Sequence, residues 1–213
     1  MKISNLIRIP LAALLLVLPF FSQPLPAADL KLASQNVSKF STFAGNQSIR
    51  IFQGLEPDIA LIQEWVLAEP SHRIYVDNAF GPEFYYYLAP DPGLNPVGNP
   101  AAQNNGIVSR WMMQTWGSWA DTVGSGGADF AWAKIDLPGP DDMLVVSAHL
   151  KADAGEEAHR LAQANLIKGY VENSLAMNPS STYVVVAGDL NTENASEWCI
   201  QSFATFLEPT SYR

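Results

Sequence analysis

Residues 57–64 read Pro-Asp-Ile-Ala-Leu-Ile-Gln-Glu, with four apolar residues between a turn-forming Pro-Asp pair and a polar Gln-Glu pair. A short apolar run with polar ends is typical of a strand that is buried on both faces. Residues 184–187, three valines and an alanine, form a run of the same kind, and Gly-Asp-Leu-Asn follows at residues 188–191. Both predicted strands therefore lead directly into a carboxylate, Glu64 after one and Asp189 after the other.

Strand and helix patterns alternate along the rest of the chain. The turn at residues 138–142, Pro-Gly-Pro-Asp-Asp, predicts a hairpin between its flanking strands. This order favours an α/β (α+β) layered sandwich over a purely parallel sheet. The predicted strands are residues 30–37, 59–62, 84–88, 106–110, 130–137, 143–150 and 183–187, the last a central strand; the predicted helices are residues 46–55, 71–80, 155–177 and 197–206; residues 91–104 are a predicted loop.

Composition limits the classes of function. A chain of 213 residues with 48% hydrophobic residues fits one folded domain. Its net charge of −9 argues against a protein that coats nucleic acid through a basic surface, but not against an enzyme that meets phosphates through a metal ion. Its single cysteine, Cys199, excludes a disulfide or a cysteine-based zinc site built within these residues.

The N-terminus has the layout of a secretory signal peptide. Lys2 and Arg8 precede an apolar run of about 13 residues, shorter than the roughly 20 that a membrane-spanning helix needs, and small residues end at Ala28. We expect a signal peptide at residues 1–28, a domain at residues 29–213, and export to the periplasm or medium. An uncleaved membrane anchor is the alternative.

Five polar side chains lie at the carboxyl ends of predicted strands, where open α/β sheets place ligands. Taken singly, each has an ordinary explanation as a turn, cap or half-buried residue. Together, two carboxylates, two carboxamides and one imidazole predict a site for a hard metal ion. The five are Asn36, Glu64, His149, Asp189 and Asn191.

These residue types suit the hydrolysis of a phosphoester. Mg²⁺ takes oxygen ligands and keeps several waters, so Glu64 and Asn36 are candidate ligands. The metal would stabilise charge on the phosphoryl group. Asp189 would orient or deprotonate a water, and Asn191 and His149 would donate hydrogen bonds to the phosphoryl oxygens.

The order of these segments resembles the endonuclease/exonuclease/phosphatase superfamily, which has the deoxyribonuclease I-like fold. The blocks at residues 57–64 and 188–191 carry the resemblance, with residues 105–110 and 146–150 between them. It implies a four-layered αββα sandwich of two mixed sheets flanked by helices.

The resemblance also implies roles for the five polar residues. Asn36 and Glu64 lie at the metal, with Glu64 as the direct ligand. Asp189 acts on the attacking water, and Asn191 binds phosphate. His149 resembles the histidine of the branch that contains deoxyribonuclease I and the bacterial sphingomyelinases.

Two further observations qualify the resemblance. The family closes with a strand that carries an Asp-His pair, and none occurs before Arg213, so we expect the domain to lack its last strands. His72 and His159 do not match that pair. For Arg160 and Gln163, on the predicted helix after His149, a solvated helix face is the favoured interpretation over support of the site.

These observations predict a monomeric, exported hydrolase that uses Mg²⁺ (or Mn²⁺ or Ca²⁺) to cleave phosphodiesters. Its substrate would be DNA, RNA or a phospholipid headgroup, and no stable protein partner is expected. The first alternative is a phosphatase or a sphingomyelinase-like lipid phosphodiesterase. The second is an inactive, truncated fold that acts as a binding module. The tryptophan-rich stretch at residues 111–132 is predicted to pack in the core and a hairpin rather than to face a substrate.

Overall fold

The computed structural model describes residues 30–38, 47–66, 71–90, 104–123, 128–177 and 182–207. The predicted signal peptide and nearly all of the predicted loop at residues 91–104 lie outside these ranges. Within them, no helix is both long and apolar enough to cross a membrane. The elements are β1 (Leu32–Asn36), α1 (Gln47–Leu55), β2 (Ile59–Gln63), α2 (Ser71–Ala79), β3 (Tyr85–Leu88), β4 (Gly106–Ser109), β5 (Met113–Trp119), β6 (Phe130–Asp136), β7 (Asp142–His149), α3 (Glu157–Met177), β8 (Thr182–Asp189) and α4 (Trp198–Leu207).

The strands form two mixed four-stranded sheets. In sheet A the strand order is β1-β2-β4-β3, and in sheet B it is β5-β6-β7-β8. β1 runs parallel to β2, and β7 runs parallel to β8, whereas the other neighbours are antiparallel. Each sheet therefore contains one parallel pair, and these two pairs carry all five predicted site residues at or just beyond their carboxyl ends.

β2 shows how the layers are built. Ile59 and Leu61 face sheet B in the core between the sheets, while Ala60 and Ile62 pack under α1 and α2 on the other face. On the far side, α3 and α4 cover sheet B through a third apolar cluster. A strand buried on both faces needs apolar residues at successive positions, which explains the run at residues 59–62. The predicted four-layered αββα sandwich is confirmed.

Two predictions about strands were wrong. β5 was missed because its sequence, Met-Gln-Thr-Trp-Gly-Ser-Trp, has no regular apolar alternation. β8 was expected to be central, but in the described part of the chain it lies at the end of sheet B. Its valines are explained by its faces rather than by two strand neighbours: Val184 and Val186 pack towards the helices, and Val185 packs towards sheet A.

The tryptophan-rich stretch is divided between packing and solvent. Trp119 stacks on Trp132 with 5.5 Å between ring centroids, across the β5–β6 pair. Trp116, by contrast, is 55% exposed. The prediction of core packing and a hairpin therefore describes the Trp119–Trp132 pair but not Trp116.

Candidate functional site

The parallel pairs bring the predicted residues to one end of the sandwich. Asn36 ends β1 beside Gln63, so Glu64 follows directly on the neighbouring strand. His149 and Asp189 are register partners at the ends of β7 and β8. Because the carboxyl ends of parallel strands lie at the same sheet edge, each sheet presents two of these side chains at that edge.

Hydrogen bonds join the two sheets at this point. Asn36 Nδ2 donates to Glu64 Oε1 at 3.0 Å and to Asp189 Oδ2 at 2.9 Å. His149 Nε2 lies 3.9 Å from the same Glu64 oxygen and 3.8 Å from the same Asp189 oxygen. The structure thus brings four of the five predicted residues into one cluster. Asn36 ends β1, Glu64 follows β2, His149 ends β7 and Asp189 ends β8.

The orientation of the Asn36 carboxamide follows from its contacts. Its Oδ1 accepts a hydrogen bond from the backbone N–H of Ser38 at 2.7 Å. The opposite orientation would direct Oδ1 at two carboxylate oxygens and Nδ2 at an N–H donor. Asn36 therefore holds Glu64 and Asp189 through its nitrogen, and its oxygen is not directed at them.

The cluster is anionic and reaches solvent. The side chain of Glu64 is 18% exposed and that of Asp189 is 33% exposed, while that of His149 is 6% exposed. Among the ion pairs of the described residues, no lysine or arginine pairs with either carboxylate. Two carboxylates that share one amide donor, and that pair with no lysine or arginine among the described residues, favour the approach of a cation.

The carboxylate oxygens of the cluster are donors of the kind that a hard divalent cation takes. Within the described ranges, no group of three His, Cys, Asp or Glu side chains is arranged to hold a metal ion. A structural zinc site needs such a set, whereas Mg²⁺ is typically held by one or two carboxylates and keeps its waters. Glu64 fits the role of that carboxylate, and Asn36 fits a role in positioning it.

Asn191 lies beside the cluster and is held by its own contacts. Its backbone N–H donates to Asp189 Oδ1 at 3.0 Å, and its Nδ2 donates to the carbonyl of Leu150 at 2.8 Å. Asn191 is the side chain predicted to bind phosphate, and one of the two protons on its Nδ2 is therefore bonded within the protein. Asn191 and Glu64 both have positive φ, 50° and 52°. Such left-handed backbone in non-glycine residues concentrates at functional sites.

The other motif residues have structural contacts. Asp58 lies at the opposite end of β2, where it accepts a bond from the Lys31 N–H at 2.9 Å and pairs with Arg110 at 3.1 Å. Gln63 lies buried beneath the site, and its Nε2 donates to Ser147 Oγ at 2.9 Å. Two of the three polar residues in the 57–64 block, Asp58 and Gln63, therefore fix a strand end and the packing between the sheets.

The prediction of a solvated face for Arg160 and Gln163 was wrong. Arg160 is 0% exposed and Gln163 is 1% exposed, on the same buried face of α3 as Ala164 and Ile167. Sequence reasoning missed Glu197, the buried partner of Arg160. For the burial of Arg160 and Gln163 the sequence did carry a signal. Gln163 and Ala164 lie three and four residues after Arg160, so all three fall on one helix face.

The comparisons with known proteins identify the fold. No family model and no curated sequence matches the chain. Among solved structures, TDP2 from Caenorhabditis elegans is 16% identical with a TM-score of 0.61, covering 77% of this chain and 48% of that one. D. rerio TDP2, in complex with a single-strand DNA product, is 16% identical with a TM-score of 0.55, covering 83% and 64%.

A bacterial structure gives the same result. An endonuclease/exonuclease/phosphatase family protein from Bacteroides thetaiotaomicron is 13% identical with a TM-score of 0.56, covering 83% of this chain and 66% of that one. The chain thus spans about half to two thirds of the length of the structures it matches. Its two mixed sheets and flanking helices are those of the endonuclease/exonuclease/phosphatase fold, the deoxyribonuclease I-like fold.

Proposed function

We propose that the protein is an exported, metal-dependent phosphoesterase that hydrolyses phosphodiester bonds by in-line attack of water on phosphorus. The observation that carries the proposal is the cluster of Asn36, Glu64, His149 and Asp189 at one end of the sandwich. Two partly exposed carboxylates, each within 4 Å of the His149 imidazole, supply a candidate metal ligand and a candidate base, and the imidazole supplies a hydrogen-bond donor.

Each side chain has a role set by its position. Mg²⁺, or Mn²⁺ or Ca²⁺ in its place, held by Glu64 would withdraw charge from the phosphoryl oxygens. Asp189 accepts a proton from the attacking water, whose oxygen forms the new bond to phosphorus as the bond to the leaving oxygen breaks. His149 Nε2 donates to a phosphoryl oxygen, and the remaining amide proton of Asn191 does the same. Asn36 keeps the two carboxylates at their separation.

Nucleic acid is the first substrate class to test. D. rerio TDP2, which shares the fold, was solved with a single-strand DNA product. A phospholipid headgroup or a small phosphate monoester remains the alternative, since the cluster contains nothing that reads a base. We further propose a monomer without a stable protein partner, which reaches the periplasm or medium through residues 1–28.

The test is an assay of three substrates, supercoiled DNA, sphingomyelin and a chromogenic phosphodiester, each with Mg²⁺, Mn²⁺, Ca²⁺ or EDTA. We expect hydrolysis that EDTA abolishes. Glu64→Gln and Asp189→Asn should each lower the rate by at least about a hundredfold, because each removes a group that acts on the reacting atoms. Asp136→Asn, on an exposed carboxylate of β6, is the matched control.

The outcomes separate the alternatives. Wild-type rates in both carboxylate variants would refute the assignment of the site. Hydrolysis of sphingomyelin alone would identify the lipid phosphodiesterase. A folded protein that cleaves none of the substrates and binds no Mg²⁺ by calorimetry would favour the binding module.

A further inference from the structure

Arg160 and Glu197 form a buried, two-pronged ion pair outside the cluster. Arg160 Nε donates to Glu197 Oε2 at 2.8 Å, and Arg160 Nη2 donates to Glu197 Oε1 at 3.0 Å. Arg160 is 0% exposed and Glu197 is 3% exposed. The planar guanidinium and carboxylate can make both bonds only in one relative orientation, so the pair fixes direction as well as distance.

The pair connects the two segments that follow the site strands. Arg160 Nη1 donates to the carbonyls of Lys151 and Asp153, both at 3.1 Å, in the segment after His149. Glu197 Oε1 accepts from the backbone N–H of Glu193 at 2.7 Å, in the segment after Asp189. One side chain on α3 thus holds the first segment, and its partner holds the second.

Three further hydrogen bonds connect these segments to each other and to α3. The Leu150 N–H donates to the Asp189 carbonyl at 2.9 Å, and Gln163 Oε1 accepts from the Lys151 N–H at 2.8 Å. Asn191 Nδ2 bonds the Leu150 carbonyl, as described above. The backbone between is irregular, with φ of 85° at Asp153. A segment of this shape has no regular hydrogen-bond ladder, so side chains must hold it.

We propose that the Arg160–Glu197 pair is a positioning device that fixes the segment after His149 against the segment after Asp189, and so holds the imidazole and the carboxylate at their working separation. The hydrogen bonds of the two side chains described above go to each other and to the two segments. For its catalytic consequence, the proposal rests on the proposed function.

A buried ion pair is not in general required for stability. Well-packed apolar side chains of similar volume can replace a buried ion pair with little loss of stability. They cannot, however, replace the directed bonds from Arg160 to the carbonyls of Lys151 and Asp153. A role in positioning therefore predicts that apolar replacement leaves the fold intact but releases the two segments.

The test compares Arg160→Met/Glu197→Leu with wild type by amide hydrogen exchange. The amides of Leu150, Lys151 and Asn191 keep their acceptors in this variant, so faster exchange there reports movement of the segments. We expect exchange at least about tenfold faster at these amides, with a melting temperature within about 5 °C of wild type. Unchanged exchange at these three amides would overturn the proposal.

The matched control is Lys134→Met/Asp142→Leu, which replaces a partly buried pair 2.8 Å apart at the far end of sheet B. It should leave exchange at the three amides unchanged, and an equal acceleration there would contradict the proposal. If the first variant does not fold, Arg160→Lys serves instead. It keeps the positive charge but lacks the planar guanidinium that makes two bonds to Glu197. Faster exchange in folded Arg160→Lys supports positioning, and wild-type exchange refutes it.

Activity provides a second readout. On a substrate that wild type cleaves, Arg160→Met/Glu197→Leu should lower kcat at least about tenfold and change KM by less than about twofold, because binding groups remain while their alignment is lost. A wild-type kcat would refute positioning. A wild type that cleaves no substrate would refute the proposed function instead, and the exchange measurement would still decide the role of the pair.

Discussion

A single carboxamide, that of Asn36, joins the two sheets at the candidate site. Its nitrogen bonds a carboxylate oxygen from each sheet, and the Ser38 N–H holds its oxygen. Asparagine suits this place because an amide offers two donors and one acceptor without adding charge. A third carboxylate there would repel the other two, and an alkyl side chain would leave Glu64 and Asp189 unbridged. The residue predicted as a metal ligand thus bridges the two carboxylates through its nitrogen.

A buried tyrosine on α2 gives a prediction about alkaline pH. Tyr75 is 2% exposed and bonds Ser48 Oγ at 3.0 Å, and burial raises its pKa from 10.0 to about 12. The neutral phenol therefore contributes stability that is fully present below pH 10 and is lost as the pH rises towards 12. By linkage, wild type should lose about 1 kcal/mol at pH 11 through this group. Tyr75→Phe should not show that loss.

Denaturant unfolding at pH 8 and pH 11 measures the difference. Tyr75→Phe starts from a lower free energy of unfolding, by about 1 kcal/mol, because it lacks the bond to Ser48. The gap between the two proteins should narrow at pH 11. A gap that stays constant would contradict the assignment of the shifted group to Tyr75.

At the scale of elements, the β7–β8 pair depends on one glycine. A Cβ on Gly188 would lie 1.7 Å from the carbonyl oxygen of Ala148 on the neighbouring strand. Gly188→Ala should therefore force the strands apart and lower the free energy of unfolding by about 3 kcal/mol or more. Since Asp189 and His149 follow directly, it should also lower activity.

A second glycine provides the control. Gly169 lies within α3, and a Cβ there would meet no atom within 4 Å. Gly169→Ala should raise the free energy of unfolding by about 0.5–1 kcal/mol, because alanine loses less backbone entropy in a helix. The free energy of unfolding of both variants is measured by denaturant titration. Equal changes in the two variants would contradict the claim that Gly188 is needed because the Ala148 carbonyl lies so close.

The elements also show how far sequence reasoning reaches. Strands with apolar runs, such as β2 and β8, were predicted because a strand that packs on both faces leaves a local pattern. β5 was missed because its stability comes from pairing with β6, a contact distant in sequence that no local period records. The same limit applies to Arg160. Spacing places Arg160 on the same face of α3 as Ala164, but its partner Glu197 is 37 residues away. Because charged side chains are seldom buried unless they are paired, the burial of Arg160 was not expected without knowledge of that partner.

At the scale of the whole molecule, charge restricts how a polyanionic substrate can bind. The chain carries a net charge of −9. Its described basic side chains are largely paired with carboxylates, including those of Lys31, Arg73, Arg110, Lys134, Lys151, Arg160 and Lys168. In the described ranges, then, phosphates along a strand would compete with these carboxylates for the basic groups. Recognition of nucleic acid should depend on the scissile phosphate and its neighbours, with a divalent cation supplying the positive charge.

This arrangement predicts a weak dependence on salt. On a single strand, each phosphate that a lysine or arginine neutralises adds about 0.7 to the magnitude of the slope of log affinity against log salt concentration. With paired basic groups, the slope for kcat/KM on a single-stranded oligonucleotide should stay below about 2 in magnitude at constant Mg²⁺. Lengthening the substrate from a dinucleotide to a 30-mer should raise kcat/KM per bond by less than about tenfold, since distant phosphates find few partners. A steep slope, or a strong gain with length, would contradict this prediction and would favour nucleic acid as the substrate class.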